Sequence, residues 1–147
     1  MLTAVRPGVP ADVASWLVLA GHVEQLFGPM PDIRSAVERG IGRGTALVTG
    51  AVGAVSGGAL LSRDDRPHRI SWLAVAPAAR GHGLGTALVR AAVDRWPAGE
   101  IEVITFGADT VGGNPARRMY VKAGFAPAGP VHPAENGDPR ERYVLRR

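Results

Sequence analysis

Three glycines at alternate positions, Gly81, Gly83 and Gly85, follow Arg80 and lead into the run Leu84-Gly85-Thr86-Ala87-Leu88. Glycine reaches backbone conformations closed to other residues and lets the chain pass close to something bulky. A helix that starts just after such a turn aims unpaired N–H groups, and the positive end of its dipole, into it. That combination favours an anion, and phosphate is the usual one. Two well-known phosphate loops do not fit. A Walker loop needs lysine followed by serine or threonine after its last glycine, where this chain has Thr86-Ala87. A dinucleotide fingerprint spaces its glycines G-x-G-x-x-G after the first strand, whereas here the third glycine is one residue early and the turn lies mid-chain. What remains is a pyrophosphate held by consecutive backbone N–H groups, with Arg80 beside it.

Such a turn must be carried by a strand before it and a helix after it. His68 to Ala76 alternates Ile70, Trp72 and Ala74 with Ser71, Leu73 and Val75, and reads as a strand. Its Leu73-Ala74-Val75 end is apolar on both faces, which places it centrally in a sheet. The helix runs from about Gly83 to Trp96, buries Leu84, Ala87, Leu88, Ala91 and Ala92, and stops at Pro97. Leu2 to Arg6 is a short strand closed by Pro7-Gly8. Asp12, or the residue before it, caps a helix whose apolar face is Val13, Trp16, Leu17, Ala20, Val23 and Phe27. A second helix spans Asp32 to Arg39, with Gly40 as its stop. Thr45 to Thr49 and Val52 to Ser62 form a hairpin around Gly50 and Gly53. Within it, Gly57-Gly58 marks a bulge or a close backbone approach.

Glu100 to Phe106 is the next strand and Gly107 to Gly113 a loop. Asn114-Pro115 opens the last helix in the favoured order, cap residue and then proline at the first helical position. That helix carries Ala116, Met119, Tyr120 and Ala123 on one face and ends at Gly124. Phe125 starts a strand interrupted by Pro127 and Pro130, and Glu141 to Arg146 alternates as an edge strand. With no repeat and no linker, residues 1–147 read as one mixed α/β domain.

Composition narrows the function classes. At 46% hydrophobic and 20% charged residues the chain is of globular type rather than disordered. The formal charge of +4 rests on arginine, Lys122 being the one lysine. The arginines stand singly or in pairs, without the run of a basic arm, so they read as solvated surface and no nucleic-acid partner is expected. Arg117-Arg118 in particular reads as a wet helix face. No apolar run reaches the roughly 18 residues of a membrane span, and no basic-then-apolar leader opens the chain. A cytoplasmic location without a membrane partner is the expectation. The absence of cysteine removes disulfides, a thiol nucleophile and thiolate metal sites together, and no metal is expected.

Two segments carry a family resemblance. Arg80-Gly81-His82-Gly83-Leu84-Gly85 resembles the Q/R-x-x-G-x-G/A signature of the GNAT superfamily of N-acetyltransferases, and Leu73-Ala74-Val75-Ala76-Pro77 resembles the end of that family's fourth strand. Asn114-Pro115-Ala116-Arg117-Arg118-Met119-Tyr120-Val121-Lys122-Ala123-Gly124-Phe125 resembles its second motif, an asparagine, then tyrosine, then Gly-Phe. The order of elements matches over essentially the whole chain. The resemblance implies a mostly antiparallel α/β sheet, fourth and fifth strands splayed apart, with helices on both faces. It also implies acetyl-CoA as donor, with the backbone of Arg80, Gly81, His82, Gly83, Leu84, Gly85 and Thr86 on the pyrophosphate. The edge of Leu73, Ala74 and Val75 would pair with the pantetheine arm, Asn114 would contact the donor, and Tyr120 would give a proton to the departing thiolate. A primary amine of a small molecule or a peptide would attack directly, in a ternary complex. Dimerisation is common in the family, so a homodimer is compatible with it.

Other readings stand beside these. Asn114 has a sufficient role as helix cap, and Tyr120 also suits a core aromatic with a satisfied hydroxyl. Many relatives have one more residue between the asparagine and the tyrosine, so the Gly113 backbone is an alternative donor contact. The fourth strand has Ser71 where relatives often carry glutamate. A base is needed because an amine near neutral pH is mostly protonated. Glu24, Asp32, Asp109, His22, or a water chain through Ser71 are the candidates. The acceptor side falls to His22–Asp32 and about Val131–Asp138, where Glu24, Asp32, Glu135 and Asp138 would give an acidic lining for a cationic amine. With no clear base, a catalytically idle acyl-CoA-binding domain is the alternative.

Overall fold

Seven strands form one sheet in the order β1-β2-β3-β4-β5-β7-β6 in the computed structural model, which describes residues 4–27, 30–106, 114–133 and 140–146. The strands are β1 (Val5–Pro7), β2 (Ala46–Thr49), β3 (Gly57–Leu61), β4 (His68–Val75), β5 (Ile101–Phe106), β6 (Ala126–Val131) and β7 (Arg140–Leu145). The helices are α1 (Val13–Phe27), α2 (Ile33–Arg43), α3 (Leu84–Arg95) and α4 (Asn114–Lys122). Neighbouring strands are antiparallel except β4 and β5, which run parallel. Their pairing is short: His68, Arg69 and Ile70 face Ile101, Glu102 and Val103, and from Ser71 onward the two share no register.

Two apolar clusters cover the two faces of the sheet. On one face Val89 and Ala92 of α3, Trp96 just after its end and Tyr120 of α4 pack with Leu61, Ile70, Val103 and Tyr143. On the other, Trp16, Leu19 and Val23 of α1 and Val37 of α2 pack with Val48, Leu60 and Ala74. A bulge in β4 sets which of its residues face each cluster. Leu60 pairs with Trp72 and Leu61 with Ile70, so Ser71 has no partner in β3. One extra residue reverses the faces that follow it. Ile70 therefore belongs to the α3 and α4 face, whereas Trp72 and Ala74 pack against the α1 and α2 cluster. The simple alternation of Ile70, Trp72 and Ala74 on one face is corrected accordingly.

Other expectations shift for equally local reasons. Gly40 does not stop α2: the helix continues to Arg43 and ends on Gly44, whose φ of 76° is left-handed. At Gly40 the lack of a side chain serves packing, since a Cβ there would lie 3.0 Å from Leu60 Cδ2. The carboxylate of Asp12 does not cap α1. It accepts two hydrogen bonds from Arg6, at 2.8 and 2.9 Å, and further ones from the N–H groups of Val9 and Gly53. Strand β7 is not an edge but lies between β5 and β6. Pro127 and Pro130 have no N–H to donate, which confines β6 to the outside of the sheet.

The Gly57-Gly58 pair is a close approach. A Cβ at Gly58 would sit 2.8 Å from Trp16 Cζ2, and the Trp16 ring is wholly buried and cannot give way. Gly58→Ala is expected to cost about 1–3 kcal/mol. At Gly21, inside α1, a Cβ would meet nothing within 4 Å. Gly21→Ala is therefore expected to stabilise by up to about 1 kcal/mol. Urea unfolding midpoints that move in opposite directions would establish this pair of effects, and equal shifts would refute it.

Candidate active site

Where β4 leaves β5, the sheet opens into a cleft of about 550 Å³. One end is the glycine turn. A short 3-10 turn, Pro77–Ala79, follows β4, and Gly81 and Gly83 adopt left-handed φ of 83° and 77°. A Cβ at either would meet nothing within 4 Å, so these two glycines are required by conformation, not by space. Gly85 differs: a Cβ there would fall 2.6 Å from Met119 Sδ, so its role is the close approach of α3 to α4. Gly83 caps α3 with no side chain, and the first turn contains no acidic residue. The N–H groups of Leu84, Gly85 and Thr86 thus begin the helix without a side-chain acceptor among the described residues, and all three residues line the cleft with Arg80, Gly81 and Gly83. His82 does not line it; its exposed ring places Nδ1 3.1 Å from the Ala79 carbonyl oxygen.

The walls come from both sides of the split. Leu73, Ala74 and Val75 line the cleft from β4, and Ile104 and Thr105 from β5. Among the described residues the β4 edge facing β5 has no strand partner over Ser71–Val75, so its peptide groups are available to an amide-containing ligand. From α4 come Ala116, Met119 and Tyr120. Tyr120 is 4% exposed, and its ring meets Phe125 edge-on at 5.7 Å. Burial pushes its phenol well above the ordinary tyrosine value, so the hydroxyl stays protonated. The residue is a core aromatic and a cleft wall at once. On the opposite face, Met30, Trp72 and Arg140 line the opening, and the Trp72 indole N–H donates to Met30 Sδ at 3.2 Å.

The base candidates do not converge there. His22, Glu24 and Asp32 are exposed and do not line the cleft, whereas Ser71, at the bulge, does. Asp109, Gly113, Glu135 and Asp138 lie outside the described residues, as does the side chain of Asn114, which opens α4. Among the described residues no group of three or more His, Asp or Glu could hold a metal ion, and no helix is long and apolar enough to cross a membrane.

A family model described as an acetyltransferase (GNAT) domain matches residues 42–127, a stretch that contains the glycine turn, the split strands and α4. The chain belongs to the GNAT acetyltransferase family. Solved GNAT structures share its fold. It is similar to a GNAT acetyltransferase from Bacillus cereus, with a TM-score of 0.80 and 17% identity over 100% of this chain and 99% of that one. It is similar to yncA, a putative acetyltransferase from Salmonella typhimurium solved with acetyl-CoA, at a TM-score of 0.74 and 18% identity over 99% of this chain and 94% of that one. It is also similar to the ribosomal-protein-S18-alanine N-acetyltransferase from Escherichia coli, at a TM-score of 0.71 and 17% identity over 98% of this chain and 93% of that one. Among curated proteins, none matches the chain.

For this GNAT domain, the residues singled out from sequence fall mostly along one cleft. Arg80, the turn glycines and Thr86 stand at one end, and Leu73–Val75 and Tyr120 form walls. Sequence reasoning missed Val103, Ile104 and Met119 as lining, and above all Arg140. Met119 had a signal, its place one residue before Tyr120 and four before Ala123 on a helix of known facing. Arg140 had none, because an arginine next to a proline in a polar stretch looks like any surface cation.

Proposed function

We propose that this GNAT chain moves an acetyl group from acetyl-CoA to a primary amine by direct attack in a ternary complex. The observation that carries the reading is the split between β4 and β5, with an uncapped helix N-terminus at one end and a buried, protonated tyrosine in its wall. N–H groups of the Gly81 to Thr86 turn would hold the pyrophosphate, helped by the α3 dipole and Arg80. The unpaired β4 edge would bind the pantetheine amides as a further strand, and an N–H of Leu73–Val75 would polarise the thioester carbonyl. The amine nitrogen bonds to the carbonyl carbon and gives up one proton to water, and the carbon–sulfur bond breaks with its electron pair going to sulfur. Tyr120 donates a proton to that sulfur and regains one from solvent, because a phenolate in a buried wall is disfavoured. The ammonium proton must leave first. Ser71 and Thr105 are lining hydroxyls able to relay it to water.

A thiol-release screen over amines, amino acids, polyamines, aminoglycosides and peptides tests the reading, with release that requires both donor and one acceptor class as the expected result. One observation favours a second reading, an idle acyl-CoA-binding domain: no carboxylate or histidine lines the cleft among the described residues. Saturable donor binding without release across the whole panel would select it.

A further inference from the structure

The charge of the cleft is one-sided. Among its described lining residues Arg80 and Arg140 are cations and none is an anion. Arg80 stands at the glycine turn, the end suited to phosphate. Arg140 stands elsewhere, at the start of β7, where it pairs with Phe106 of β5 and Val131 of β6. Tyr143 and Leu145 of the same strand pack on the α3 and α4 face, so alternation puts Arg140 on the opposite face, that of Trp72 and Met30. That is the face across the split from Tyr120.

The neighbouring arginines on this face are engaged. Arg69 and Arg142 both pair with Glu102, at 2.8 and 3.0 Å. Arg140 has no carboxylate partner among the described residues. Its Nε donates to the His132 carbonyl at 2.9 Å and its Nη2 to the Pro133 carbonyl at 3.4 Å. Two carbonyls therefore brace one side of the guanidinium and leave Nη1 without a partner among the described residues. A braced fork with free N–H groups is the geometry that binds a carboxylate well. A purely cationic amine would instead meet the Arg140 charge and no acidic lining side chain among the described residues.

We propose that the acceptor is an amine that also carries a carboxylate, and that Arg140 binds this carboxylate while Trp72 and Met30 contact its apolar part. This rests on the acetyl-transfer reading; of the acidic lining expected for a cationic amine, Glu24 and Asp32 do not line the cleft, and Glu135 and Asp138 lie outside the described residues. The carboxylate takes no part in the bond changes; it orients the nitrogen towards the split. It can belong to a free amino acid or to an acidic side chain near a peptide N-terminus.

The test compares kcat/KM for apolar amino acids, their carboxamides, the corresponding decarboxylated amines, and dipeptide amides whose second residue is aspartate. Calorimetry of acetyl-CoA binding runs alongside. Carboxylate-bearing acceptors are expected to exceed their amides by about 30-fold, equivalent to about 2 kcal/mol. Free amino acids leading would assign the α-carboxylate, and dipeptides leading the side-chain source. Arg140→Ala should collapse the preference and Arg140→Lys retain part of it, both with donor affinity intact. A merely structural role would lower acids and amides alike and leave the ratio in place, which overturns the proposal. Transfer to amides and plain amines as fast as to acids overturns it alone and leaves acetyl transfer standing. Donor binding with no transfer to any acceptor overturns both.

Discussion

Tyr120→Phe is expected to lower kcat by about 10²-fold while leaving acetyl-CoA affinity unchanged, the lower end of the range for general acid catalysis. The lower end applies because burial makes this phenol a weaker acid than an exposed tyrosine, so much of its effect is a hydrogen bond to sulfur along which the proton follows. The substitution keeps the ring and its edge-on contact with Phe125, so stability should change little. The raised pKa of Tyr120 also sets a sign. The protonated form persists to higher pH than in an ordinary tyrosine, so turnover should show no alkaline fall from this group up to about pH 9. Steady-state kinetics with calorimetry of the donor separate the cases: equal loss of turnover and affinity would make Tyr120 structural.

The second large effect concerns Asp12, which is wholly buried. Its carboxylate is held by the Arg6 fork and by the N–H groups of Val9 and Gly53, tying β1, the turn into α1 and the loop before β3 together. Hydrogen bonds from Arg6 first, opposed by burial and aided by the two backbone N–H groups, hold its pKa well below the ordinary carboxylate value. Asp12→Ala strands those partners and should cost about 3 kcal/mol, towards the lower end for a broken buried pair because Arg6 keeps 26% of its side chain in solvent. The melting temperature should fall by about 6–12 °C. Because the folded value is depressed, this stabilisation is fully present above the unfolded value near pH 3.9 and is lost as pH falls below it. Wild type should therefore lose stability steeply below about pH 4 and Asp12→Asn much less so. Parallel acid curves for the two would contradict the assignment.

The glycine turn was legible because two of its glycines are demanded by backbone conformation, a property that sequence carries directly. Gly58 was legible for a related reason, since paired glycines in a strand have few other uses. Strand order was not. The alternation of β7 reports which faces are wet, not which strand lies beside it, and the informative residues were Pro127 and Pro130 in its neighbour. The bulge at Ser71 was hidden because an unpaired residue is a relation between two strands. Arg140 was hidden for the same kind of reason: its place in the cleft depends on β7 inserting between β5 and β6.

The central claim is that the split sheet and the Gly81 to Thr86 turn form an acetyl-CoA site. Isothermal titration of acetyl-CoA into the intact chain tests this most directly. Saturable binding of one donor per chain in the micromolar range, weakened when Gly83 is replaced by valine, is the predicted result, since valine at a φ of 77° distorts the turn. No saturable heat at millimolar acetyl-CoA would contradict the account.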